Sequence, residues 1–260
     1  MMRTKLNTMN KKLFFLLLFS AITVQSQNYF YENYQPFDQT IPSPETFLGY
    51  DIGDHHTRHD RIVSYFEKLA KLSDKAQITE YGRTHEERKL IMFTVTSQGN
   101  LSELENIKQQ HLDFTDPSKS PDNYDEVPIF VNLGYNVHGD EPSSAEAAML
   151  VAYTLVASQK EEVLNYLDDA VIFIDPTINP DGRDRHTQWV NSYQGSPEVA
   201  DTQDAEHNEY WPSGRTNHYW FDLNRDWYLA VNPESRGKLR WFHDWYPNVV
   251  TDYHEMGTQS

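Results

Sequence analysis

The chain has 260 residues, 38% of them hydrophobic and 13% aromatic, enough for the core of one α/β domain, and no Pro/Gly/Ser tract divides it after the N-terminus. A formal net charge of −17 excludes nucleic acid as a partner, because binding a polyanion calls for clustered Lys and Arg. With no cysteine in the chain, thiolate chemistry, disulfides and cysteine-ligated zinc are excluded, and the compartment must be read from another signal.

That signal is N-terminal. Lys11 and Lys12 precede an apolar run from Leu13 to Val24, and Val24-Gln-Ser26 supplies short residues for a cleavage point. Residues 1–26 therefore predict a secretory signal peptide and a secreted or periplasmic protein. The run falls short of the ~20 residues a membrane span needs, and no later stretch could span. Residues 27–54, rich in Tyr, Phe, Pro, Asn and Gln without periodicity, predict an extended surface segment. One domain is predicted over 55–260. A helix is expected from the 3.6-residue recurrence of Ile62, Val63, Phe66, Leu69 and Leu72, capped by Asp54 or Thr57. His55, His56 and His59 are expected to be solvated in its first turn rather than to bind metal.

Next come a hairpin, Ile78–Tyr81 with Lys89–Thr96, a helical piece over Leu101–His111, and a polar loop with Pro117 and Pro121. The continuous apolar run Val127–Tyr135 predicts a strand covered on both faces. It enters a polar turn carrying His138 and Glu141. Pro142 can open a helix to about Ser158, a second short helix uses Val163, Leu164 and Leu167, and Ala170–Asp175 is another buried strand. Strand, helix, strand in that order implies a right-handed crossover and a largely parallel sheet. Ligands of such sheets gather at strand C-terminal ends, where His138, Glu141, Asn179 and His254 fall. Thr187–Tyr219 reads as a long polar and aromatic loop, a candidate rim for a cleft. Leu239–Trp245 reads as a helix whose Trp241, Phe242 and Trp245 belong to the core. Val249–Tyr253 is a last strand, leading to His254.

An imidazole and a carboxylate at i and i+3, where a buried strand meets a helix start, can close on one cation, and His254 offers a third ligand by folding. Neutral imidazoles with an oxygen ligand suit zinc. Three protein ligands leave a position open for water, as in catalytic rather than structural zinc sites.

The order His138-x-x-Glu141, Asn179-Pro-Asp-Gly182, Asp222-Leu-Asn-Arg225 and a distant His254 resembles the zinc metallocarboxypeptidases of the M14 superfamily, over about residues 55–260. The resemblance implies a three-layer α/β/α sandwich around a mixed, mostly parallel sheet. It also implies one zinc ion (Zn2+) per chain on His138, Glu141 and His254, with Asp222 holding a ligating imidazole. Asn224 and Arg225 would hold the free carboxylate of a peptide substrate. The oxyanion arginine is best matched by Arg215, with Arg183 and Arg185 as competitors. The implied reaction is hydrolysis of a peptide bond that releases a C-terminal residue. The family's general-base glutamate and mobile tyrosine follow the third ligand and are not found before Ser260, so the resemblance implies a domain incomplete at its C-terminus. Two alternatives share these residues: a zinc amidase or deacylase acting on acyl-amino acids or peptidoglycan stem peptides, and a non-catalytic peptide- or glycan-binding module. Nothing in the sequence sets an oligomeric state.

Overall fold

The computed structural model describes residues 30–119 and 127–256, so the expected signal peptide lies outside the described residues. Residues up to Gln35 form a unit of their own, whose described part holds a 3₁₀ turn at Glu32–Tyr34. The main unit begins at Pro36. Its first element is α1 (Pro44–Leu48), capped by Ser43 and ended by Gly49 in the left-handed region. The segment expected to be wholly extended thus contains a short helix.

Among the described residues five strands form one mixed sheet: β1 (Ala76–Arg83), β2 (Lys89–Val95), β3 (Ile129–Tyr135), β4 (Ala170–Asp175) and β5 (Val249–Tyr253), in the order β1-β2-β4-β3-β5. The hairpin β1–β2 joins β4 antiparallel, while β4, β3 and β5 run parallel. The parallel part is the part whose C-terminal ends carry the site, and β3 sits between its two parallel partners.

The remaining helices are α2 (His59–Leu72), α3 (Gln98–Ser102), α4 (Leu104–Thr115), α5 (Pro142–Ala157), α6 (Glu161–Asp169), α7 (Pro180–Tyr193) and α8 (Pro233–Trp245). None of the described helices is long and apolar enough to cross a membrane. Successive strand side chains face opposite ways, and both faces of the sheet are covered. Met92 of β2 packs with Phe130, Val171 and Phe173 against Leu104, Ile107 and Trp241 of α4 and α8. Its neighbour Phe93 meets Phe66 of α2 edge-on at 5.0 Å on the other face. Layers of helix, sheet and helix follow. Trp245 joins the first of these clusters, 4.8 Å from the Phe173 ring, so the α8 aromatics are core.

Two expectations need correcting. The histidines before α2 are not a solvated trio. The helix has Arg58 as its cap, with no side-chain capping bond, and Thr57 is buried with its amide and hydroxyl on Glu146. His59 is 3% exposed, and its Nε2 donates to the Lys89 carbonyl at 2.9 Å. Burial pushes its pKa down to about 4. Burial, then the nearby Arg183 charge and the neighbouring histidines, pushes His56 down to about 3. Only His55 is exposed. The second correction concerns Thr187–Tyr219, since α7 runs through Tyr193 before the irregular stretch begins. The helix hid because its buried face is polar, with Asp181, Arg183 and Thr187 all inside, so no apolar stripe marks it. The early start of α8, where Glu234, Ser235 and Lys238 are buried, has the same cause.

Candidate metal centre

Strand β3 delivers the chain to Asn136, which takes φ 58°, a conformation that a short amide side chain tolerates. The Asn136 side chain donates to the carbonyls of His138 and Glu141 at 2.8 and 2.9 Å. This ties both ends of the turn to one buried residue. Glu141 then caps α5, with Pro142 in the first turn.

Within the turn, His138 Nδ1 lies 2.7 Å from Glu141 Oε1. His254, carried in by β5, places its Nδ1 3.2 Å from Glu141 Oε2. One ligand atom from each of the three lies within 4.8 Å of the others. The outer ring nitrogens are both held by acids: His138 Nε2 is 2.9 Å from Asp222 Oδ1, and His254 Nε2 is 3.2 Å from Asp252 Oδ2. A ring whose Nε2 proton is spent on a carboxylate presents Nδ1 as the lone-pair nitrogen. Two such nitrogens and one carboxylate facing a common point fit a zinc ion. His138 is 2% exposed, whereas the His254 side chain is 31% exposed, so the triad opens to solvent on the β5 side.

Asp222 caps a 3₁₀ turn at Leu223–Arg225, accepting from the Asn224 amide at 2.9 Å. Burial works against its charge, but the His138 hydrogen bond, the Arg215 charge and the Asn224 amide hold it below the usual carboxylate range. Arg215 donates to Asp222 Oδ2 at 3.1 Å and reaches within 3.9 Å of Glu141 Oε1. Neither competitor has a guanidinium free for the triad. Arg183 is fully buried, 2.6 Å from Glu146, and Arg185 spends its guanidinium on the carbonyls of Ser213, Thr216 and Asn217. Asn224 Nδ2 lies 3.4 Å from His254 Nε2. Arg225 is exposed, and among the described residues it has no carboxylate partner; the adjacent Asp226 is buried and accepts from Val231 and Asn232 instead.

Sequence reasoning missed three contributors. Asp252 was readable, because residues i and i+2 of a strand share a face and Asp252 precedes His254 by two. Lys238 and Asp175 were not. The Lys238 ammonium lies 3.5 Å from Asp175, which also accepts from Tyr81 at 2.8 Å. Gly134 is in register with both Asp175 and Asp252, and a Cβ there would come within 2.8 Å of Lys238 Nζ. The absent side chain makes room for that ammonium.

The glycine of the Asn179-Pro-Asp-Gly182 motif also acquires a reason. Gly139, Gly182 and Gly214 meet backbone to backbone: a Cβ on Gly139 would overlap Gly182 and Arg183 and come within 2.6 Å of the Gly214 carbonyl. Asn179 caps α7 through the Gly182 amide at 3.0 Å and donates to the Arg215 carbonyl at 3.2 Å. The ligand turn, the start of α7 and the loop bearing Arg215 are thereby joined. A second group of possible ligands, Glu86, Asp181 and His218, already holds a cation, since Arg88 lies 2.7 Å from Asp181 and bonds Glu86 as well.

Residues 62–253 match the model of the zinc carboxypeptidase family. The chain belongs to that family. No curated protein matches the sequence. Among solved structures, a protein assigned as carboxypeptidase A from Shewanella denitrificans OS-217 is 16% identical with a TM-score of 0.51, over 79% of this chain and 41% of that one. Carboxypeptidase A from Helicoverpa armigera is 14% identical with a TM-score of 0.51, over 85% of this chain and 50% of its own. At these identities the likeness is one of fold. The chain spans about half or less of their length.

Proposed function

We propose that this chain carries the zinc-binding part of a metallocarboxypeptidase site and serves the hydrolysis of a peptide bond next to a free C-terminus. The observation that carries the reading is the convergence of His138 Nδ1, Glu141 and His254 Nδ1, with both outer ring nitrogens held by carboxylates. Bound there, zinc would supply a Lewis acid for the scissile carbonyl and a water of lowered pKa. The chain's own residues do the rest of what can be assigned. Asp222 fixes the His138 ring, and Arg215 stands beside the triad as the donor for a developing oxyanion. Arg225, with no carboxylate partner among the described residues, forks onto the substrate carboxylate, and Asn224 assists. Glu255 is not offered as the base, because its carboxylate accepts from the Ser143 amide and hydroxyl at 2.7 and 2.6 Å. We also propose secretion through residues 1–26, which N-terminal sequencing of the mature protein would check.

Zinc titration of metal-free protein should reach one equivalent in the native chain and fail in His138→Ala and His254→Ala. Arg225→Lys should weaken binding of a peptide with a free C-terminus by about 10-fold or more, the scale of a lost charge-assisted bond, and leave its amidated counterpart unchanged. Unaltered zinc content in both histidine variants would remove the site; equal losses for the two peptides would make Arg225 structural.

A further inference from the structure

The segment from Asp222 to Arg225 is flanked by two buried residues, Asn217 before it and Asp226 directly after it, and a third buried residue, Asn232, joins them. The Asn217 side-chain amide donates to Asn232 Oδ1 at 2.9 Å. Its own Oδ1 accepts from the Tyr219 and Phe221 amides at 3.1 and 3.0 Å. Asn232 in turn gives its backbone amide and its side-chain amide to Asp226 Oδ2, each at 2.9 Å. The other Asp226 oxygen accepts from the Val231 amide at 3.0 Å. Asn232 thus puts its oxygen on one flank and both its nitrogens on the other.

Every side-chain nitrogen and oxygen of these three residues has a partner, and a buried polar network satisfied in this way holds one backbone arrangement rather than several. The segment between the flanks is a single 3₁₀ turn, closed by the Arg225 amide on the Asp222 carbonyl at 2.9 Å and the Asp226 amide on the Leu223 carbonyl at 3.0 Å. One turn is too short to hold its own shape. Asp222 has anchors besides the turn, in His138 and Arg215. The Arg225 guanidinium bonds only its neighbour's carbonyl, that of Asn224 at 3.2 Å, among the described residues. The direction in which Arg225 leaves the chain is therefore set by the backbone at Arg225 and Asp226, which the bonds to Asn232 fix.

We propose that Asn232 is a positioning residue for the substrate: by joining Asn217 to Asp226 it pre-sets Arg225 for the C-terminal carboxylate, and it carries part of the preference for a free C-terminus without touching the substrate. The inference rests on the carboxypeptidase reading above, which places that carboxylate at Arg225.

Calorimetry on the zinc-loaded full chain tests it, with one blocked peptide in two forms, free at its C-terminus and amidated. The native chain should bind the free form tighter. Asn232→Ala should shrink that ratio by about 5-fold or more, the scale of fixing one residue's backbone on binding, while zinc still binds at one equivalent. In an Arg225→Lys background the same change should have no further effect on the ratio. Asp226→Asn, which keeps the shape and removes the anion that Asn232 holds, should act in the same direction and decides the matter if Asn232→Ala folds poorly. An unchanged ratio in both variants overturns this inference alone. So does an equal fall in the Arg225→Lys background, or a loss of zinc that accompanies the fall in both variants, since the network would then hold Asp222 rather than Arg225. A native chain with no preference for the free form overturns the carboxypeptidase reading and this proposal with it.

Discussion

His138 and His254 each give one nitrogen to an acid, and the two acids are not equivalent. Asp222 sits at 2.9 Å, held in turn by Arg215 and the Asn224 amide, whereas Asp252 is at 3.2 Å. Asp222→Asn should therefore weaken zinc retention by about 10-fold or more, and Asp252→Asn by less, as competition with a chelator would measure. An unaltered affinity in Asp222→Asn would mean that the pairing does not orient the ring. The ligand residues and Asp222 were legible in the sequence because their chemistry is tied to short motifs at strand ends. Asp252 left a fainter mark, a shared strand face. Lys238 left none: a lysine near the start of a helix reads as surface until Gly134 is seen to make space for it.

Helix α7 reaches the site through charge rather than apolar packing. Its Arg183 donates to Glu146 of α5 at 2.6 Å, to the Thr57 carbonyl and to the carbonyl of Pro142, the residue after Glu141. Burial lowers the Arg183 pKa, against the pull of Glu146. Removing one member of such a pair strands the other, at a cost of about 3–5 kcal/mol, while replacing both with apolar residues is often close to neutral. Arg183→Met should lower stability towards urea by that amount, and the double variant Arg183→Met with Glu146→Leu should recover most of it. If the double variant is as unstable as the single one, the backbone contacts of Arg183 dominate. The elements that sequence periodicity located, β2, β3, β4 and α2, bury apolar residues at regular spacing. Those it misplaced, α7 and the first turns of α8, bury ions.

Two buried titrating groups give the whole fold opposing pH dependences. The unfolded His59 ring takes a proton near its ordinary 6.5, whereas in the fold burial holds it to about 4. Stability from this group is complete above pH 6.5 and is lost as pH falls towards 4, about 2 kcal/mol of it by pH 5. Glu234 is fully buried at the start of α8, and burial raises its pKa to about 7. The unfolded carboxyl ionises first, so stability is lost as pH rises from about 4.5 to 7, by roughly 3 kcal/mol in all. Urea unfolding in the presence of chelator should show a flatter acid limb for His59→Gln. Glu234→Gln should gain relative stability at pH 8 over pH 5. Parallel pH profiles for the native protein and both variants would refute these assignments.

The junction of Gly139, Gly182 and Gly214 makes the segment between α7 and Arg215 exchangeable. Whatever path that segment takes, it is fastened again at Gly214, so the metal ligands need not register its length or composition. Glu206 and Glu209 belong to the exchangeable part, whereas His138, Glu141 and Arg215 belong to the fastened part. Replacing residues 198–209 with a neutral loop should leave zinc binding at one equivalent, and a loss of zinc binding would mean that the glycine junction does not isolate the triad from that segment.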